Sequence, residues 1–199
     1  MDFYQIFLSS ATFIYIITVF VVRSLILWKL RGINPFVFGN TDKAHDYIGK
    51  VYKTLTVMTI GMVFTFAFLP NYYHFLVPIE YLSLDYIQLS GMCLFLLAFI
   101  WTVIAQYQMS ASWRIGIDYN EKTELIKNGL FSYSRNPVFV GIIGTTSSTF
   151  LMIPNIISFT ILICTYITIQ IQVRLEEEYL SKVQGTDYKY YRNKVPRWM

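Results

Sequence analysis

The stretch from Asn136 to Val173, NPVFVGIIGTTSSTFLMIPNIISFTILICTYITIQIQV, contains no Asp, Glu, Lys or Arg over 38 residues. A membrane-spanning helix needs about 20 apolar residues, so this stretch is nearly long enough for two spans. Pro154-Asn155 lies near its middle, where proline removes a backbone donor and asparagine tolerates turn conformations. The stretch therefore predicts a tight hairpin of two short membrane helices.

Working outward from this hairpin, three further stretches without charged residues reach the length of a span: Phe3 to Val22, Thr54 to Ile79 and Tyr86 to Trp113. The whole chain of 199 residues is 55% hydrophobic and 14% charged, whereas a soluble domain has about 25% charged residues. These patterns predict one all-α integral membrane domain, residues 1–199, with five transmembrane helices. Three spans fall within residues 1–108, and residues 109–199 hold the hairpin and most of the polar motifs.

The basic residues indicate how the spans are oriented. They follow the first, third and fifth predicted spans, whereas Met1-Asp2, Pro70 to Asp85 and Pro154-Asn155 contain no Lys or Arg. Because positive loops stay in the cytoplasm, we expect the N-terminus outside and the C-terminus inside. The basic residues flank apolar segments instead of forming a polar patch, so the net charge of +4 does not predict nucleic-acid binding.

The cysteines and histidines do not form a recognisable metal-binding pattern. Cys93 and Cys164 both fall inside predicted spans, where cysteine usually packs as a small hydrophobic residue. His45 and His74 fall on opposite sides of the membrane in the predicted topology. We therefore expect neither a disulfide nor a metal site.

Two polar segments, Ser110 to Gly141 and Arg174 to Met199, are candidates for chemistry. In the first, Pro137 suits the first turn of a helix and Asn136 its N-cap. A helix N-terminus attracts carboxylate or phosphate groups, although the same two residues could simply cap the helix. In the second, Glu177 and Glu178 follow Arg174 by three and four residues, so either could pair with it along the helix. An ordinary interfacial ion pair is the simpler alternative.

The last residues, from Gly185 to Trp198, alternate basic and aromatic side chains. This composition predicts a short interfacial helix that lies on the membrane surface. By itself such a helix implies anchoring only.

Together the two polar segments contain motifs in a fixed order, over roughly Met109 to the end of the chain. These motifs are Leu125-Ile126, Gly129, Phe131, Arg135-Asn136-Pro137-Val138-Phe139-Val140-Gly141, Glu176-Glu177, Gly185-Thr186-Asp187-Tyr188 with Tyr191, and Val195-Pro196. In order and spacing they resemble the isoprenylcysteine carboxyl methyltransferase family, in particular a bacterial-type branch. That family is related to the membrane phospholipid methyltransferases.

The resemblance implies a cofactor, S-adenosylmethionine, bound on the cytoplasmic side by the loop before the hairpin and by the first turns of the hairpin helices. It assigns cofactor contacts to Thr123, Glu124, Leu125, Ile126, Phe131, Asn136, Pro137, Val138, Phe139 and Glu176. The assignment is physically sensible, because a zwitterionic cofactor suits helix-start backbone groups, an aromatic wall and a carboxylate.

The chain departs from the family pattern at several positions. Asn136 replaces the usual histidine, Phe131 and Phe139 replace tyrosine, and Gln172 stands where the family has its substrate-binding arginine. Arg174 lies two residues further along, about 200° round the helix from Gln172. These differences make prenylated proteins an unsafe assumption for the substrate.

The function implied is methyl transfer to a lipophilic or lipidated acceptor in the bilayer, with an isoprenylcysteine-like carboxylate giving a methyl ester. Arg174, with Arg114 as a second candidate, would hold the carboxylate, while Glu176 and Glu177 would orient the cofactor and the arginine. The alternatives are N-methylation of a phospholipid amine or S-methylation of a thiol, with Glu177 as base. A membrane scaffold that retains the motif without turnover is the non-enzymatic alternative.

Overall fold

The computed structural model describes residues 1–32, 34–39, 41–119 and 123–199. Within these ranges the chain is mainly helical and has no strand beyond two isolated β-bridges. Short 3₁₀ turns connect the longer helices. The helices are α1 (Phe3–Ile16), which continues through a π-helical segment (Ile17–Val22) into α2 (Arg23–Arg31), then α3 (Ala44–Phe68), α4 (Asp85–Met109), α5 (Pro137–Met152), α6 (Ile156–Gln184) and α7 (Thr186–Lys194).

Four helices in the described ranges are long and apolar enough to cross a membrane: Phe3–Lys29, Ala44–Phe68, Asp85–Ser112 and Ile156–Gln184. Their composition is that of an integral membrane protein. The fifth apolar helix, α5, has 16 residues, shorter than the roughly 20 that span a bilayer. The predicted set of five apolar helices is therefore present, but only four of them have full spanning length.

Some predicted boundaries were wrong. The second span, expected over Thr54 to Ile79, is α3, which begins at Ala44 and ends before Pro70. Proline lacks the backbone N–H that the helix would need there, and the charged residues before Thr54 still fit a helix. The hairpin is also unequal: α6 has 29 residues and continues past Val173 through the glutamates to Gln184.

The turn of the hairpin lies where Pro154-Asn155 predicted it. The Asn155 side chain accepts a hydrogen bond from the Ser158 backbone N–H at 2.8 Å, and the Ser158 hydroxyl accepts one from the Asn155 N–H at 3.1 Å. This capping box satisfies N–H groups that would otherwise be unpaired in a buried turn. The Pro154 carbonyl also accepts a bond from the Ile79 N–H at 2.9 Å, which ties the turn to the preceding loop.

Small residues let α5 pack closely against α4. A Cβ on Gly141 would lie 2.0 Å from the Thr102 Oγ1, and one on Gly144 would lie 2.8 Å from the Ala98 Cβ. Glycine is enriched at such helix contacts in membranes because it allows the backbones to approach. The close contact fixes the start of α5 relative to α4.

The bundle has two distinct ends. At the turn end, which contains Pro154-Asn155 and the 3₁₀ segment Pro70–Leu76, a core of Leu8, Met62, Val63, Met152, Ile153 and Ile161 closes the bundle. At the loop end, residues 34–39 pair with Ile115, and Arg135 donates its backbone N–H to the Pro196 carbonyl. The segments that carry most of the polar motifs therefore meet at the loop end.

The predicted C-terminal helix is present as α7. Its Tyr188 and Tyr191 are buried and pack with Val195 against Leu125 and Leu180, whereas Tyr190 is exposed. One face of α7 is thus part of the protein core at the loop end. The position of α7 on a membrane surface stays a prediction.

Candidate active site

A cavity of about 320 Å³ begins at the loop end and continues into the helix bundle. One face of α6 follows it, through Ser158, Ile161, Thr165, Gln172, Glu176 and Leu180. From residue 158 to residue 180 the helical rise gives about 33 Å, close to the ~30 Å thickness of the hydrocarbon core. Most of the lining surface is apolar, so the cavity suits a long, largely apolar ligand with a polar end.

All ten residues that the sequence assigned to the cofactor line this cavity. Thr123 to Ile126 and Phe131 come from the loop before α5, Asn136 to Phe139 from the start of α5, and Glu176 from α6. The loop and the two helices thus bring residues 53 positions apart in the chain to the same wall.

Pro137 is the first residue of α5, as predicted, but Asn136 does not cap the helix with its side chain. Its Nδ2 instead donates to the Arg197 carbonyl oxygen at 3.2 Å. The side-chain amide that the sequence suggested as the helix cap is therefore hydrogen-bonded to the C-terminal tail instead. Val138 and Phe139, in the first turn of α5, line the cavity, and a helix N-terminus favours a negatively charged group.

Glu177 is the centre of a buried ion-pair network. Arg135 donates to its Oε1 through Nη2 at 2.8 Å and Nε at 3.2 Å, while Arg197 donates to its Oε2 through Nη2 at 2.8 Å. The side chains of Glu177 and Arg135 are 7% and 9% exposed. Arg135 also donates to the Val195 carbonyl, so the network joins α6, the α5 entrance and the C-terminal tail.

The expected pairing of Arg174 with Glu177 or Glu178 was wrong. Arg174 is exposed, lies outside the cavity lining, and donates to the carbonyl and side-chain oxygens of Gln170. Helical side chains lean toward the N-terminus, so Arg174 reaches back one turn, and Lys182 likewise reaches back to Glu178 at 2.6 Å. Glu177 is left to the two arginines from other segments.

Glu176 and Gln172 form the polar centre of the cavity. The Gln172 Nε2 donates to the Glu176 Oε1 at 2.7 Å, and Gln172 is 1% exposed. Gln172 Oε1 and the Tyr52 hydroxyl, both buried at the cavity wall, have no hydrogen-bond partner in the described structure. No described Lys or Arg pairs with Glu176, so this cluster offers hydrogen-bond acceptors and a negative charge to a ligand.

Arg114, the second arginine suggested by the sequence, does line the cavity. Its Nε lies 3.4 Å from the Asp118 Oδ2, and its Nη1 donates to the Ala111 carbonyl at 2.7 Å. The guanidinium is therefore held in place by its own loop beside the cavity.

Sequence reasoning missed several lining residues. Phe38 and Tyr52 come from the N-terminal half, where the motifs gave no signal, and Gln106 lies in α4, outside the motifs. Tyr188 and Tyr191 belong to the C-terminal motif but were given no role; burial raises the pKa of each to about 12. Both phenols are thus neutral near pH 7, and the Tyr191 hydroxyl donates to the Phe131 carbonyl at 2.6 Å.

Comparison with known proteins agrees with this geometry. The family model of the phospholipid methyltransferases matches residues 86–187, about half of the chain, from α4 to the first residues of α7. No curated protein and no solved structure matches the chain. The narrower resemblance to a bacterial-type isoprenylcysteine branch stays a prediction. By this match the chain belongs to the phospholipid methyltransferase family, whose members are membrane methyltransferases.

Proposed function

We propose that the protein transfers a methyl group from S-adenosylmethionine to a lipophilic acceptor that enters from the bilayer. The observation that carries the proposal is a single cavity that joins the ten motif residues at the loop end to an apolar chamber within the bundle. A soluble cofactor could reach the loop end, while an acceptor's apolar part could occupy the chamber. The family match supports methyl transfer as the reaction class.

The residues present fit this cofactor. When bound, it supplies an electrophilic methyl group on a positively charged sulfur. Glu176 has no cationic partner among the described residues, and the adjacent Gln172 Oε1 is a buried acceptor without a donor. Phe131 adds an aromatic wall, and the first turn of α5 adds backbone N–H groups that suit a carboxylate.

Among acceptor classes, an amine is favoured by the polar centre of the cavity. A protonated amine could bind the Glu176 carboxylate and donate to Gln172 Oε1, and the transfer of one proton to Glu176 would free the amine lone pair for methylation. Glu177, the base considered from the sequence, is already bound by Arg135 and Arg197. Both of its carboxylate oxygens already accept hydrogen bonds from these arginines, so Glu176 is better placed to accept the proton of the amine.

A carboxylate acceptor is the second candidate, because Arg114 lines the cavity. An arginine can bind a carboxylate through two parallel hydrogen bonds. In this case the acceptor is already ionised near pH 7 and needs no base, so the protein would act by positioning and charge stabilisation.

The two acceptor classes can be separated by one experiment. Purified protein is incubated with methyl-labelled cofactor and total lipid and protein extracts, and the labelled product is treated with base. Esters release methanol, whereas methylamines and thioethers do not. No transfer above that of a heat-denatured sample in any fraction would reject the proposed function.

The pH dependence gives an independent test of the acceptor. An amine must lose a proton, so its rate should rise with pH. A free carboxylate has a pKa near 4 and is ionised throughout, so its rate should be flat between about pH 6 and 8. The measurement requires that chemistry limits the rate, which single-turnover kinetics establishes.

We also propose that the loop end faces the cytoplasm, as the distribution of basic residues predicts. In a variant lacking Cys93 and Cys164, a cysteine at Ser132 should react with an impermeant reagent only from the cytoplasmic side. A cysteine at Ser83, near the turn end, should react only from outside. Ser132 and Ser83 are both exposed in the structure. Labelling of the two positions from the same side would therefore contradict the orientation.

A further inference from the structure

The loop end contains a second buried polar cluster, which does not line the cavity. His45 and Asp46, in the first turn of α3, are 5% and 6% exposed. The Asp46 carboxylate accepts hydrogen bonds from the Gly39 N–H at 2.8 Å and the Thr41 N–H at 3.1 Å, and it lies 3.2 Å from the His45 Nδ1. Both residues lie outside the part of the chain that the family model matches.

His45 connects this cluster to a wall of the cavity. Its Nε2 accepts a hydrogen bond from the Ile117 backbone N–H at 2.6 Å. Ile117 directly follows residues 113–116, which line the cavity, and the His45 ring stacks on Phe38, another lining residue, with centroids 4.6 Å apart. We call Phe38 and residues 113–116 the loop wall.

The backbone of the loop wall is shaped to meet the imidazole. Gly116 has φ +104°, a conformation that favours glycine, and a Cβ there would lie 2.8 Å from the His45 Nε2. The segment that leads to Phe38 is also paired with Ile115, since the Ile115 N–H donates to the Pro35 carbonyl at 2.7 Å and the Val37 N–H donates to the Ile115 carbonyl at 3.3 Å. His45 therefore contacts Phe38 and also Ile117, the residue that follows the loop wall.

We propose that His45 and Asp46 are a positioning pair that fixes the loop wall against the acceptor. The Ile117 N–H can only donate, so Nε2 must be the unprotonated nitrogen, and the ring proton must be on Nδ1, where Asp46 accepts it. Asp46 thus holds the ring proton on Nδ1, which leaves Nε2 free to accept the hydrogen bond from the Ile117 N–H. Neither residue contacts the cavity, so they act through the wall and not on the reacting atoms.

The tautomer can be tested without any activity measurement. The chain has only two histidines, so ¹⁵N-histidine labelling in detergent gives two sets of ring signals, and His74→Ala assigns them. The proposal expects His45 as the neutral Nδ1–H form. Signals of an Nε2–H form, or of a ring that exchanges freely between the two forms, would overturn it.

Variants of His45 test the connection to Ile117. Glutamine can place its Oε1 near the position of Nε2, whereas alanine offers no acceptor and asparagine is too short to reach Ile117. We expect amide exchange of residues 113–119 to accelerate about tenfold or more in His45→Ala and His45→Asn, with protection restored in His45→Gln. His74→Ala is the matched control and should leave this segment unchanged. Equal exchange in all four variants would reject the proposal.

The effect on catalysis rests on the proposed function. A misplaced wall should lower turnover by about tenfold to a hundredfold, with cofactor affinity kept within about twofold, because no residue of the loop wall is among the ten assigned to the cofactor. His45→Gln should recover most of the turnover. Equal loss of cofactor affinity and turnover would instead indicate general destabilisation and would overturn the positioning role. If the unaltered protein transfers no methyl group at all, the proposed function fails, and the tautomer and exchange results still decide whether His45 and Asp46 fix the loop wall.

Discussion

The two ends of the cavity use polar groups in opposite ways. At the loop end, hydrogen bonds join different segments, as in the contacts of Glu177 with Arg135 and Arg197. Deeper in the bundle, threonine hydroxyls bond to carbonyls of their own helix, as Thr59 does to Leu55 and Thr149 to Thr145. The loop end is therefore held together by its polar groups. The apolar chamber deeper in the bundle contains threonines such as Thr59 and Thr149, but their hydroxyls already have hydrogen-bond partners.

This difference explains how one cavity can suit a ligand that has a charged end and an apolar chain. A charged ligand end needs fixed partners that do not reorganise, which the ion-pair network and Glu176 can offer. An apolar chain costs little to bind where the hydroxyls need no new donor or acceptor. Substitutions at Glu177 and Glu176, at the loop end, should consequently affect stability and cofactor binding, and those in the chamber should affect the acceptor alone.

The largest expected effect is on stability, from Glu177→Gln. This substitution leaves the Arg135 and Arg197 guanidinium groups without their carboxylate, and breaking a buried pair typically costs about 3–5 kcal/mol. Thermal unfolding in detergent should show a large fall in the midpoint. Glu178→Gln is the matched control: the Glu178–Lys182 pair is 62% and 72% exposed, so its loss should leave the midpoint unchanged. Equal shifts for both variants would mean that the network does not stabilise the loop end.

The sequence could predict the residues of the loop end but not their pairing. The uncharged stretch and Pro154-Asn155 located the α5–α6 hairpin, and the ten residues that the motifs assigned to the cofactor line one cavity. Helical spacing suggested Arg174 as the ion-pair partner of Glu177. The actual partners, Arg135 and Arg197, lie 42 and 20 residues from Glu177 in the chain. Such pairs depend on tertiary packing, which helical spacing does not contain.

The N-terminal half shows the same limit more strongly. Its spans read only as apolar helices, so nothing in the pattern indicated that Phe38 and Tyr52 would form part of the cavity wall. The end of α3 was also misplaced, because hydropathy continued past Pro70 while the backbone could not. Hydrophobic pattern thus predicted which segments enter the membrane, and backbone chemistry decided where they end.

The second effect is on cofactor binding, from Glu176→Ala. A hydrogen bond to a charged group contributes about 1.5–3 kcal/mol, so the dissociation constant for S-adenosylmethionine should rise by about tenfold or more, measured by calorimetry on folded protein. Glu178→Ala, on the exposed face of the same helix, serves as the control. Unchanged affinity in Glu176→Ala would remove this carboxylate from the cofactor site.

A smaller and more selective effect is expected deep in the chamber, from Thr149→Leu. Thr149 is buried and lines the cavity, so leucine occupies space that an acceptor chain would use. Turnover of long-chain acceptors should fall by about tenfold, the scale of one or two methylene groups in an apolar pocket, while short-chain acceptors and cofactor affinity change little. Thr160→Leu, on the exposed side of α6, is the control. Equal losses for both chain lengths would place the acceptor elsewhere.

The smallest effect separates the two arginines proposed for the acceptor. Arg174 bonds only to Gln170 among its described contacts and lies outside the cavity lining, so Arg174→Lys should change turnover by less than about twofold, as expected for an exposed site. Arg114→Lys keeps the charge but loses the planar fork that binds a carboxylate through two bonds. It should therefore lower turnover if the product is a methyl ester, and leave it nearly unchanged if the product is a methylamine. A large loss in Arg174→Lys with unchanged cofactor affinity would return Arg174 to the acceptor site, which would require the part of α6 at the loop end to turn when the acceptor binds.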